Sequence, residues 1–149
     1  MESFNIDEKL MLRTIIMEHY DRPNFKRKKE DILETDGYII KNNRTASCID
    51  NVTVYLKTKD GIIVDAFFTG EGCAIATAST DIMIGYILNQ SLETALDLFE
   101  TYSIMISGGE IDKSKLRDLY AFFNVKNHGN RLKCGLIGPR TIKECLLND

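Results

Sequence analysis

The chain of 149 residues has no tryptophan, only two prolines and two histidines, no excess of basic charge and no long apolar run. Each shortage excludes a class of protein. No stretch approaches the roughly 18–20 apolar residues that a membrane span needs. The first residues, Met-Glu-Ser-Phe-Asn-Ile-Asp-Glu, are acidic and lack an apolar core, which is not the pattern of a secretory signal, so a cytoplasmic setting is expected. Lys and Arg number 19 against 22 Asp and Glu, and a formal net charge of −3 argues against generic nucleic-acid binding. The single basic cluster, between Arg22 and Lys29, reads as a solvated or docking face. A Cys–His hydrolase needs an imidazole beside a thiol. His19, on an apolar helical stripe, and His128, in a polar loop, are poor candidates for that role.

What is present is a normal globular balance, with 44% hydrophobic and 28% charged residues, so one compact domain over 1–149 is expected. Residues 7–20 read as a first helix, with Leu12, Ile15, Ile16 and His19 on one stripe and Pro23 as its stop. Residues 21–36 are polar and read as exposed, and 37–40 as a short strand. Asp60-Gly61 between two alternating, β-branched runs predicts an antiparallel hairpin with strands near 51–58 and 62–69. Residues 74–88 read as a buried helix, and Ser91 caps another that ends near Gly108-Gly109. Residues 114–123 carry a helical stripe, and Gly138-Pro139 is expected to open the last helix. Strands segregated from helices predict an α+β fold: a small antiparallel sheet of about three strands with helices on one face.

The four cysteines carry the functional signal. With a reducing compartment expected, they are core thiols or reactive and metal-binding ones rather than disulfides. Cys145 shares a helical stripe with Ile142 and Leu146 and reads as a core thiol. Cys48 precedes the hairpin, Cys73 sits in a glycine-rich turn before a helix, and Cys134 falls in a loop before the last helix. A thiol at a helix N-terminus is favoured as thiolate. Asp50, two residues after Cys48, points to the same side if the segment is extended. Three thiolates and one carboxylate make a four-coordinate donor set that zinc accepts. The spacings of 25 and 61 residues from Cys48 to Cys73 and on to Cys134 match no zinc-finger pattern, so inert thiols stay open as the alternative.

These segments together resemble the IscU/NifU-like iron–sulfur assembly family. His19-Tyr20-Asp21-Arg22-Pro23-Asn24 is similar to its His-Tyr-x-x-Pro-x-Asn pattern. Cys48-Ile49-Asp50 is similar to its Cys-Gly-Asp, and Gly70-Glu71-Gly72-Cys73 to its Gly-x-Gly-Cys before a small-residue helix. Cys134 matches the late cysteine. Lys133, where scaffold-type members carry His, and the extra segment Ile111 to Gly129 resemble the SufU branch.

The resemblance implies zinc held by Cys48, Asp50, Cys73 and Cys134. It further implies a sulfur carrier rather than a conventional enzyme, taking persulfide sulfur from a cysteine desulfurase. Cys48 is the first acceptor, Cys134 the second, and Arg131 holds the freed thiolate. Downstream iron–sulfur assembly or acceptor proteins are the implied recipients, with no nucleic acid or membrane involved. A scaffold carrying a transient iron–sulfur cluster and a binding module with purely structural zinc are the alternatives. One departure has a structural consequence. Ile49 stands where the family has Gly, and a β-branched residue resists positive φ. A loop that needs Gly there would be reshaped, and Asp50 would be carried away from the metal.

Overall fold

The computed structural model describes residues 6–46, 49–127 and 129–148. Helix α1 spans Ile6–Asp21, strands β1, β2 and β3 span Ile39–Arg44, Asn51–Lys59 and Ile62–Glu71, and helices α2, α3 and α4 span Ala74–Ile87, Leu92–Ile106 and Gly129–Leu147. The strands form one antiparallel sheet in the order β1-β2-β3. The expected α+β class is what the chain adopts. No helix among the described residues is long and apolar enough to cross a membrane.

The hairpin follows from its turn. Asp60 and Gly61 both take positive φ, 52° and 76°, as the two-residue turn that matches strand twist requires. The register then sets Val54 opposite Phe68 and Leu56 opposite Ala66. All four are buried on the face covered by α2 and α4. The alternate positions make the other face, where Tyr55 stacks on Phe67 at 4.8 Å between centroids and the Arg27 guanidinium lies 3.9 Å over the Phe67 ring.

The segment after α1 is not wholly exposed, contrary to the expectation for residues 21–36. Phe68 N–H donates to the Phe25 carbonyl at 3.0 Å and Arg27 N–H to the Phe68 carbonyl at 2.8 Å. This short parallel bridge occupies part of the open edge of β3, which would otherwise leave backbone groups unpaired. Polar composition concealed it because the pairing uses main-chain groups only.

The last third of the chain departs furthest from expectation. Residues 114–123 form 3₁₀ turns, at Lys113–Lys115 and Arg117–Phe122, rather than an α-helix. The i, i+3 apolar spacing suits both helix types, and Leu116, Leu119 and Phe122 are fully buried. Helix α4 begins at Gly129, not at Pro139, so Pro139 lies inside it and Cys134 is a helical residue rather than a loop residue. An internal proline leaves the carbonyl four residues back without its helical donor. Here that carbonyl belongs to Gly135, and the Tyr102 hydroxyl of α3 donates to it at 2.7 Å. Burial pushes the Tyr102 phenol far above its ordinary range, which keeps it protonated as a donor. Close helix packing explains the neighbouring glycine: a Cβ on Gly138 would lie 1.7 Å from Thr80 Oγ1 of α2.

Helix α1 has no fully buried residue. Leu12, Ile15 and Ile16 pack partly on the core, while Leu10, Met11 and Met17 are exposed. Its polar anchor is His19, whose Nδ1 lies 2.6 Å from Asp81 Oδ2. Asp81 is wholly buried in α2, and its Oδ1 accepts from Phe25 N–H at 2.8 Å. His19 is therefore a boundary histidine with a specific partner, and truncating it strands a buried carboxylate oxygen. His19→Ala is expected to cost about 1.5–3 kcal/mol in denaturant unfolding and to raise amide exchange in α1 more than elsewhere. Equal exchange throughout the chain would show that the pair does not anchor this helix.

Candidate metal centre

The hairpin register builds most of the site. Asn51 pairs with Glu71 as the last rung between β2 and β3. The residue before β2 and the residues after β3 therefore emerge side by side. Asp50 and Cys73, 23 positions apart, meet there: Cys73 N–H donates to Asp50 Oδ1 at 3.0 Å. Gly70 permits the approach. It has φ +123°, and a Cβ there would lie 1.9 Å from the Asn51 carbonyl oxygen, so only glycine fits.

Cys73 then caps α2. Its backbone is extended (φ −71°, ψ 175°), and Ala76 N–H points at its Sγ at 3.5 Å. Thus the thiol faces the positive end of the helix. Cys134 arrives from the second turn of α4. The ligand atoms of Asp50, Cys73 and Cys134 all lie within 4.8 Å of one another. Ligands bonded to one zinc ion at about 2.0–2.3 Å are at most about 4.6 Å apart, so the grouping is already close to metal-binding dimensions.

Burial makes the cluster chemically incomplete as a set of protein groups alone. Asp50 is 1% exposed, and its Oδ2 has no hydrogen-bond partner among the described residues. The Cys134 thiol is pushed far up by burial first, and then by the adjacent Asp50 carboxylate and Cys73 sulfur. Groups that become anionic disfavour each other's ionisation when buried together. A cation would supply the missing charge and a partner for the orphaned oxygen, and a sulfur–sulfur–oxygen donor set suits a borderline-soft ion such as Zn²⁺. The residues present therefore fit a metal.

Of the residues singled out from the sequence, the structure brings Asp50, Cys73 and Cys134 together. Ile49 does not displace Asp50: the isoleucine is 75% exposed, while the aspartate that follows it is buried. Cys48 and His128 lie outside the described residues. Arg131, one turn before Cys134 on the same face of α4, lines an open cleft of about 750 Å³ together with Cys73 and Cys134. Cys145 is fully buried, with Sγ 3.8 Å from the Val54 carbonyl, and burial raises its thiol to about 12; it is a core thiol.

Two features escaped the sequence reading. Helix α1 forms one wall of the thiol cleft, where it places Lys9, Arg13 and Met17; its stripe signalled packing but not what it packs beside. Asp81 was also missed, although a carboxylate within an otherwise apolar and small-residue helix was a visible signal.

Comparison with known proteins gives this geometry a family. Over 138 residues the chain is 32% identical to the iron–sulfur cluster assembly scaffold protein IscU of Thermotoga maritima, covering 93% of this chain and 94% of that one. Over 143 residues it is 34% identical to the zinc-dependent sulfurtransferase SufU of Bacillus subtilis, covering 95% and 93%. Among solved structures it is similar to a candidate iron–sulfur cluster assembly scaffold protein for the SUF system from Fervidobacterium islandicum AW-1, with a TM-score of 0.79 and 32% identity over 89% of this chain and 93% of that chain. The two curated relatives differ in activity at nearly equal identity, so overall similarity does not choose a branch. Residues 11–135 match the NifU-like N-terminal domain, and the chain belongs to that family.

Proposed function

We propose that this protein is a zinc-dependent sulfur acceptor in iron–sulfur cluster assembly. The observation that carries the reading is the buried convergence of Asp50, Cys73 and Cys134 with one Asp50 oxygen unpartnered. Cys48 completes the set in this reading: it lies two residues from Asp50 in the chain, within about 7 Å along an extended backbone. Similarity to the zinc-dependent sulfurtransferase supports the choice of zinc, as do Lys133 in place of histidine beside Cys134 and the extra turns between Ile111 and Gly129.

Zinc would keep the coordinating sulfurs ionised at neutral pH. The chain's own groups do the rest. Asp50 is the oxygen donor among sulfurs and so the more weakly held partner of a soft site. Its Oδ1 is already held by Cys73 N–H. A thiolate freed from the set, Cys48 first and Cys134 second, attacks the terminal sulfur of a donor persulfide. The donor S–S bond breaks, the donor leaves as thiolate, and the protein keeps the sulfur as its own persulfide. Arg131 at the cleft holds the anionic sulfur between transfers. The persulfide donor is a cysteine desulfurase, and the recipients are downstream iron–sulfur assembly or acceptor proteins.

Protein purified without added metal is expected to contain about one zinc per chain. Cys48→Ser, Cys73→Ser and Cys134→Ser lose it, and Cys145→Ala retains it, as metal analysis will read. Absence of zinc from the unmodified chain would overturn the ligand set.

Addition of the protein to a cognate cysteine desulfurase is expected to raise its turnover. Cys48→Ala abolishes the rise, and Arg131→Ala keeps the zinc but lowers the rise about tenfold. The similarity to a scaffold protein supports a second reading in which a cluster is built on the same residues. A stable, transferable cluster chromophore after anaerobic reconstitution, with no stimulation of the desulfurase, would favour that reading instead.

A further inference from the structure

The wall charges of the thiol cleft are one-sided. Lys9 and Arg13 from α1 and Arg131 from α4 line it, and no carboxylate among the described residues does. Asp50 is buried and does not line the cleft. No ion pair of these three cations is seen among the described residues. The remaining wall is largely apolar, including Leu12, Ile16 and Ile75. Its volume of about 750 Å³ lies in the range of small-molecule sites.

Resting on the sulfur-acceptor reading, we propose that this cleft accepts sulfur directly from small, negatively charged persulfides, with Lys9 and Arg13 as the residues that select donor charge. A cleft of one sign with apolar walls concentrates the opposite charge and speeds its encounter. Lys9 and Arg13 are exposed on α1 and stand apart from the metal-binding set. They act on the approaching donor, and a carboxylate carried near the persulfide is the group they would hold. The chemistry balances without an added oxidant or reductant. A cleft thiolate bonds the terminal sulfur, the donor S–S bond breaks, and the donor departs as a thiolate that bears the electron pair.

The zinc-loaded full chain is mixed with glutathione persulfide, which is net anionic, or with cysteamine persulfide, which carries an ammonium group. Sulfur gained by the protein is read by mass spectrometry. The anionic donor is expected to load it about tenfold faster at low salt, and the preference should vanish near 1 M salt, where charges are screened within about 3 Å. The double variant Lys9→Glu, Arg13→Glu should reverse the preference while zinc content and circular dichroism stay unchanged. Arg13→Ala, together with the salt series on the unmodified chain, gives the same test should the double variant fail to fold.

Equal loading by both donors overturns the proposal. So does a double variant that slows both donors alike, since the cations would then only balance the site's own negative charge. Sulfur gained from a desulfurase but from neither small donor overturns the proposal and leaves the acceptor reading standing. No sulfur gained from any donor overturns both.

Discussion

The hydrogen bond from Cys73 N–H to Asp50 Oδ1 is the interaction on which the arrangement of the site turns. It exists because the β2–β3 register ends in the Asn51–Glu71 rung and because Gly70 lets two backbones approach where any side chain would collide. That one bond fixes the carboxylate beside the helix cap and leaves its other oxygen buried without a partner among the described residues. An unpaired buried carboxylate oxygen is costly, and the fold keeps it only because the surrounding strands and helix define the position so tightly. The pairing of Asp50 with Cys73 thus follows from the hairpin register. Only Cys134 must then be delivered from elsewhere in the chain.

A second buried carboxylate shows what a purely structural one looks like in the same molecule. Asp81 also lies in a solvent-free position, but both of its oxygens are taken, one by Phe25 N–H and one by His19. It ties α1 and the following segment to α2 and asks for nothing further. Asp50 differs in that single respect, and the difference separates a carboxylate that closes a structure from one that stays open to a ligand. The same logic applies to the thiols. Burial is the principal cause that raises both Cys145, packed between core carbonyls, and Cys134, but Cys134 is raised further by its site neighbours Asp50 and Cys73.

Where sequence reasoning succeeded, the signals were local and geometric. Asp60-Gly61 fixed the hairpin because only certain residues accept two consecutive positive φ angles, and Ser91 capped α3 by accepting from Thr94 N–H. The coming together of Asp50 and Cys73 followed from that hairpin. Cys134 was located in the wrong element because Pro139 is normally a helix start. Its place inside α4 depends on the Tyr102 hydroxyl, a partner 33 residues away from Gly135 that no local pattern reveals. The 3₁₀ turns at 113–122 share the apolar spacing of an α-helix and so could not be told from one. The bridge at Phe25–Arg27 used backbone groups, on which side-chain polarity is silent.

The cleft above the site is walled on one side by a helix with no fully buried residue. Helix α1 contributes no fully buried residue, yet with Arg131 and Phe123 it walls the cleft above Cys73 and Cys134. A wall held largely by a partly buried stripe opens at lower cost than one embedded in the core, because the free energy of local opening rises with the apolar surface it uncovers. The thiols themselves stand on α2 and α4, which pack against each other so closely that Gly138 admits no side chain. The division of labour is thus between a rigid floor that holds sulfur and carboxylate at metal-binding separation and a lightly anchored cationic wall that meets what approaches them. Charge on that wall stands apart from the ligand set, so in the proposed sulfur transfer it would discriminate between donors without altering those ligands.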